Sequence, residues 1–233
     1  MAMQNDIINI VPESDDYEVG FADLGDLIKD RYPYRYAVVV GKRLDDVVVD
    51  AISEGPTPDY YALYRSTNDE LNLITEKVER FLGQNGFGCA RIESTMRPGE
   101  ANDAFMKTLR AGFSHKMAAT RAGLGWIGKT DLLVSKRFGP RVRLATVLTD
   151  YPFEKPGLPV RESLCGSCDL CVEVCPAKAA SGRLWNDTLD RDVFFDAFKC
   201  FETCRRLSLE RLNLKASVCG ICVSVCPRGK RKG

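Results

Sequence analysis

The spacing of apolar positions changes several times along the chain, and each change predicts an element. Tyr36-Ala-Val-Val-Val40 is an unbroken apolar run closed by Gly41, the pattern of a buried strand. Ser53-Glu-Gly-Pro-Thr-Pro58 follows as a Gly/Pro-rich stretch that reads as surface. Between Asn68 and Gly83 the apolar residues Leu71, Ile74, Val78, Phe81 and Leu82 fall at helical spacing. Thr67 and Glu70 are placed there as a capping box, with Gly83 and Gly86 as stops. Cys89-Ala-Arg-Ile-Glu93 reads as a strand, so strand, helix and strand predict layered α/β architecture. Residues 101–122 read as helical. Asp131-Leu-Leu-Val-Ser135 and Arg141-Val-Arg-Leu-Ala-Thr-Val-Leu148 are expected to pair as a hairpin across Arg137-Phe-Gly-Pro140. Tyr151 to Pro159 holds three Pro and one Gly and reads as an extended linker. The expectation is an α/β (α+β) domain with a mixed sheet over residues 1–155, followed by a smaller domain over 156–233.

Composition narrows the chemistry. The 233 residues are 45% apolar, enough for a sizeable core. Lys plus Arg number 33 against 32 Asp plus Glu, so no net field draws the chain to nucleic acid or anionic lipid. Only Arg228, Lys230, Arg231 and Lys232 make a local basic run, read as a solvated end. The start has no basic segment followed by an apolar one, and no stretch approaches the ~20 apolar residues that span a bilayer. A soluble cytoplasmic protein without a membrane partner is expected. In that compartment ten Cys point to metal or redox chemistry rather than disulfides, and nine of them lie after residue 160.

Those nine form a pattern. Cys165, Cys168, Cys171 and Cys175, followed by Pro176, give the bacterial ferredoxin run C-x2-C-x2-C-x3-C-P. Two-residue gaps let one tight loop wrap three thiolates around a cubane, while the fourth Cys faces away and serves the other cluster. Cys219, Cys222 and Cys226, followed by Pro227, repeat the pattern without its first Cys. Pseudo-symmetry assigns Cys165, Cys168, Cys171 and Cys226 to one 4Fe–4S cluster. The other takes Cys175, Cys219, Cys222 and either Cys200 or Cys204. Paired zinc sites would instead draw four ligands from two well-separated pairs. The second domain is therefore expected to be ferredoxin-like with two 4Fe–4S clusters. Cys89 lies far upstream and reads as a small buried apolar residue.

Gly123, Leu124, Gly125, Trp126, Ile127, Gly128, Lys129 and Thr130 satisfy both G-x-G-x-x-G and G-x-x-x-x-G-K-T. Either nucleotide motif needs a strand before it and a helix after it, whereas here a helical stretch precedes and a strand-like one follows. The loop is instead expected to bring backbone close to a flat ligand, the three glycines leaving room. His115 is the only histidine, which excludes any site built on two His ligands. It is a candidate proton donor near the loop, weighed against a satisfied surface side chain.

Arg121-Ala-Gly-Leu-Gly-Trp-Ile-Gly-Lys129 followed by the double cluster motif resembles the cobalamin-dependent iron–sulfur reductases typified by epoxyqueuosine reductase, with reductive dehalogenases as more distant relatives. The resemblance runs from about Tyr36 to Arg228. It implies an α/β domain holding base-off cobalamin, with Gly123 to Lys129 as cofactor contacts and the ferredoxin-like module as electron source. Such a cofactor needs no His lower ligand, and no D-x-H-x-x-G motif occurs. Alignment with the family's isolated Cys implies Cys200 as the eighth ligand. An electron donor such as ferredoxin or flavodoxin is implied, with a small-molecule or corrinoid-linked substrate. Family members carry an Asp-Ser/Thr-Ala-Pro motif before the loop, where this chain has Leu109-Arg-Ala-Gly112, and the helical-repeat extension of some members is absent. A tRNA substrate is therefore not expected, and His115 becomes the tentative catalytic proton donor. The expected function is an oxidoreductase passing electrons through two clusters to cobalamin and a substrate. The alternatives are an electron carrier or activator for a protein partner and, behind it, a nucleotide-dependent reductase.

Overall fold

The computed structural model describes residues 2–96 and 102–230. Arg231 and Lys232 of the basic run, and Ala101 at the start of the expected helix, lie outside them. The chain forms two compact units, one of residues 1–43, 66–124 and 143–160, the other of 44–65, 125–142 and 161–233. A single cut at residue 155 does not describe this division, because the chain passes between the units several times. Among the described residues no helix is long and apolar enough to cross a membrane.

The first unit is built on a four-stranded sheet of β1 (Tyr17–Asp23), β2 (Tyr36–Arg43), β3 (Cys89–Ile92) and β6 (Val142–Thr149, whose first residue belongs to the second unit), in the order β1-β2-β6-β3. β1 and β2 pair antiparallel from Tyr17↔Lys42 to Asp23↔Tyr36, and β3 and β6 from Cys89↔Thr149 to Ile92↔Thr146. Val38 and Val40 pack with Ala145 and Val147 against Ile7 of α1 (Ala2–Ile10) and Leu71, Ile74, Val78 and Leu82 of α3 (Pro58–Gln84). Neither α1 nor β1 was expected from the sequence.

The helix read at Asn68–Gly83 begins ten residues earlier. Thr57 accepts the first cap bond from the Tyr60 amide at 3.2 Å, and Pro58 stands at the first helical position, where its missing N–H costs nothing. Thr67 and Glu70 are therefore interior. Thr67 is buried, and Glu70 accepts from Tyr17 Oη and Lys42 Nζ instead of capping. Gly55 and Pro56 of the expected surface stretch are buried as well.

Three further readings change. Residues 102–122 hold two short helices, α4 (Asp103–Thr108) and α5 (His115–Arg121). Leu109 at φ 50° ends the first, and Ser114 caps the second through the Met117 amide. The expected 131–148 hairpin does not form: β5 (Leu133–Ser135) pairs with β4 (Gly125–Ile127) in a separate two-stranded sheet, whereas β6 joins β3. The expected linker is fastened to the first unit, where Gly157 N–H donates to Phe21 O at 2.7 Å, Val160 N–H donates to Thr120 O at 2.9 Å, and Phe153 is buried.

The second unit combines this β4–β5 hairpin with α2 (Asp46–Asp50), α6 (Leu170–Glu173), α7 (Ala197–Leu212) and α8 (Ile221–Ser224). Leu44, Val49, Ile52, Tyr60 and Val223 form its core, with Leu132, Val218 and Cys222 packed on it. Arg141 has no exposed surface and donates to Asp46 Oδ1 at 2.8 Å, to Asp50 Oδ1 and to the Ser224 carbonyl at 3.2 Å. This charge-assisted fork ties α2 to the end of α8, the helix that carries Cys222.

Candidate metal centre

α6 and α8 are the two halves of an internal repeat. Each is a four-residue helix with a cysteine second, Cys171 in Leu-Cys-Val-Glu and Cys222 in Ile-Cys-Val-Ser, and each is followed by Cys-Pro. Gly220 starts α8 at φ 91°, where a side chain would also strike Ile52 Cδ1 at 2.3 Å, so only Gly serves there. Gly166, between Cys165 and Cys168, also takes a positive φ, 58°, and tightens the first loop.

The fold gathers the thiols in two groups. Cys171 faces Cys226, Cys165 and Cys168, and burial with these like-charged neighbours pushes its thiol up to about 11. Cys226, also raised by burial, senses Cys165 and Cys168 in return. That is the quartet the repeat assigned to one cluster. In the other group Cys222, raised by complete burial, senses Cys219 and Cys200, and Cys204 hydrogen-bonds to both Cys200 and Cys219. The Cys200 and Cys204 sulfurs are 3.8 Å apart, one turn apart on α7. Cys175 is buried just beyond α6. Cys89 is in the first unit, its thiol donating to Glu79 O at 3.3 Å beside the apolar core.

This donor set fits iron–sulfur clusters. Buried thiols resist ionisation unless cations and hydrogen-bond donors compensate the charge, and the chain supplies donors to four sulfurs. The Ile221 amide and the Cys204 thiol bond to Cys219 and hold it down to about 7, the Cys204 bond being the larger influence. The Arg228 amide bonds to Cys226. Thr130 Oγ1–H donates to Cys222, and Trp126 Nε1–H donates to Cys165 Sγ at 3.3 Å. The first group could hold a 4Fe–4S cubane, and the second brings together Cys219, Cys222 and both candidates for the remaining ligand, Cys200 and Cys204.

The last two donors come from the glycine segment, whose role differs from the expected one. Gly125 and Ile127 lie in β4, and all of Gly125, Trp126 and Ile127 are buried. A Cβ on Gly125 would stand 2.2 Å from Val134 O, one on Gly128 2.9 Å from Val134 Cγ2, and one on Gly123, at φ 75°, 2.7 Å from Leu158 O. The room that the missing side chains leave is filled by this chain's own atoms, so these glycines do not open a face to a flat ligand. Leu124 packs within the first unit against Gly20. Lys129 is buried and reaches Asp169 Oδ1 at 2.7 Å, an ion pair beside the first cysteine loop rather than a phosphate contact.

His115 does not stand as a proton donor. Its Nε2 lies 2.8 Å from the Glu93 carbonyl and its Nδ1 2.8 Å from Thr146 Oγ1. A carbonyl only accepts, so Nε2 carries the hydrogen and Nδ1 accepts from the threonine hydroxyl: a neutral ring with both nitrogens engaged. Burial holds its pKa down to about 4 from 6.5. Residues 110–112, in the stretch where the resemblance places the family's Asp, are exposed and contribute no carboxylate.

Comparison with known proteins agrees with this chemistry. Residues 164–229 match the 4Fe-4S double cluster binding domain family. The epoxyqueuosine reductase of Listeria monocytogenes is 37% identical over 93 residues, covering 40% of this chain and 21% of that protein. A crystal structure of epoxyqueuosine reductase with an epoxyqueuosine-modified tRNA-Tyr stem loop superposes with TM-score 0.59 at 19% identity, over 98% of this chain and 64% of that one. A reductive dehalogenase whose structure suggests a mechanism for B12-dependent dehalogenation gives TM-score 0.65 at 17% identity, over 92% of this chain and 30% of that one. The matched stretch spans from about a fifth to a third of the length of the first curated relatives. The chain is thus a double-cluster iron–sulfur protein with the fold shared by these reductases. Over part of its length its sequence is similar to epoxyqueuosine reductases.

Two outcomes follow. Cys200→Ser should lose one of two clusters by iron analysis and electron paramagnetic resonance, and Cys204→Ser should keep both; the reverse result would make Cys204 the ligand. For His115, the unfolded chain takes up a proton between about pH 6.5 and 4 that the folded one refuses, so stability is complete above this window and falls as pH drops through it. Urea unfolding should lose up to roughly 1.4 kcal/mol per pH unit there, and His115→Gln should flatten that slope. An unchanged slope in the variant would contradict the neutral, buried ring.

Proposed function

We propose that this protein is an iron–sulfur reductase that takes single electrons from a donor such as ferredoxin or flavodoxin, passes them between two 4Fe–4S clusters and delivers them to an acceptor bound by the same chain. The observation that carries this reading is the gathering of two thiol groups, each with hydrogen-bond donors aimed at its sulfurs, within one unit. Cys165, Cys168, Cys171 and Cys226 would hold one cluster, and Cys175, Cys200, Cys219 and Cys222 the other.

Cobalamin is the acceptor that the relatives favour, since a dehalogenase of the same fold is described as B12-dependent. The glycine segment is not what would hold it, because the spaces beside Gly123, Gly125 and Gly128 are filled by this chain's own atoms, so other residues would have to do so. No step is therefore routed through a corrinoid here, and the chain's own contribution is to hold the clusters, exclude water from them and bond their sulfurs. A tRNA substrate, as seen bound to one epoxyqueuosine reductase, stays outside the proposal, because Leu109-Arg-Ala-Gly112 provides no acid.

After anaerobic reconstitution with iron and sulfide, titration with cobalamin should give a saturable change in the corrinoid absorption at low-micromolar concentration. Protein that holds both clusters and gives no such change would favour an electron carrier or activator for a protein partner.

A further inference from the structure

Trp126 and Thr130 lie four residues apart, in the middle of β4 and in the turn that follows, and each gives its side-chain hydrogen to a different thiol group. We propose that the β4–β5 hairpin sets the reduction potentials of both clusters, Trp126 through Cys165 and Thr130 through Cys222. This rests on the iron–sulfur reading of the two quartets.

The indole is 3% exposed and has a single donor, so its hydrogen must find an acceptor inside the protein. The acceptor it meets is sulfur. A neutral thiol accepts weakly, whereas a cluster-bound thiolate carries charge and accepts well, so this buried donor is best satisfied when Cys165 ligates iron. Thr130 is 8% exposed, and its hydroxyl likewise favours the charged form of Cys222. Gly125 and Gly128 let the hairpin close onto Val134 and bring residue 128 to within 3.8 Å, by its absent Cβ, of Cys165 Sγ. The Lys129–Asp169 pair fastens the same turn to the first cysteine loop. The backbone is thereby fixed by contacts independent of the two donors, which is what a tuning hydrogen bond requires.

The electrostatic sign is definite. Reduction adds one electron and makes the cluster and its thiolates more negative, so a donor to sulfur stabilises the reduced form more than the oxidised one and raises the potential. Removing the donor lowers it. Because the two donors reach different quartets, their removal acts on different clusters.

The test is an anaerobic redox titration of reconstituted protein, followed by electron paramagnetic resonance of the reduced clusters. Wild-type protein without labile sulfide would defeat the iron–sulfur reading itself, before any variant is made. With both clusters present, Trp126→Phe should lower the potential of one cluster and Thr130→Val that of the other. At the wild-type midpoint the ratio of reduced to oxidised cluster should fall roughly two- to tenfold, the range for one hydrogen bond. Thr130→Ser keeps the hydroxyl and should restore the wild-type value. Unchanged potentials at full iron content, equal shifts of both clusters in either variant, or a Thr130→Ser variant no different from Thr130→Val would each overturn the proposal.

Discussion

The second unit depends on compensating thiolate charge in a desolvated interior. Burial and mutual proximity push Cys171, Cys222 and Cys226 away from ionisation. As bare thiols they are poor acceptors for the donors that surround them; as iron ligands they become the strongest acceptors in the unit. Local features make sense in that light: the short helices α6 and α8 that present one cysteine each, the amides of Ile221 and Arg228 turned toward sulfur, and the buried Arg141 fork that fixes the end of α8. With so few regular elements, metal–thiolate bonds are positioned to supply folding free energy that the small apolar core around Ile52 and Tyr60 does not.

The β4–β5 hairpin is the other element on which the arrangement turns. Its glycines serve the close approach of two strands, and the side chains between them, Trp126, Lys129 and Thr130, all point toward cysteine loops. A segment that looks like a nucleotide or tetrapyrrole cradle is an internal buttress. His115 fares similarly: a lone histidine near a candidate site is a neutral strut between the Glu93 carbonyl and Thr146.

What was legible in the sequence followed from how local its cause was. The cysteine spacing is a statement about one tight turn, and the grouping of Cys165, Cys168, Cys171 and Cys226 was readable from it, whereas the choice between Cys200 and Cys204, one turn apart on α7, was not. The apolar period of α3 was visible, but its true start was not, because Thr67 and Glu70 satisfy a capping pattern while their partners, Tyr17 and Lys42, come from distant strands. Residues 131–135 and 141–148 do contain strands, yet alternation carries no information about which strand pairs with which, and the nearest partner in sequence was the wrong one. The glycine segment misled for a related reason: glycine is equally necessary where a ligand approaches and where another strand does, and only the position of Val134 separates the two.

The account stands on two 4Fe–4S clusters held in the second unit. Iron and acid-labile sulfide analysis of anaerobically purified protein, with Mössbauer spectroscopy, measures that directly. The expected result is about eight iron and about eight sulfide per chain with the spectrum of cubane clusters. Protein carrying two zinc ions and no labile sulfide would contradict it.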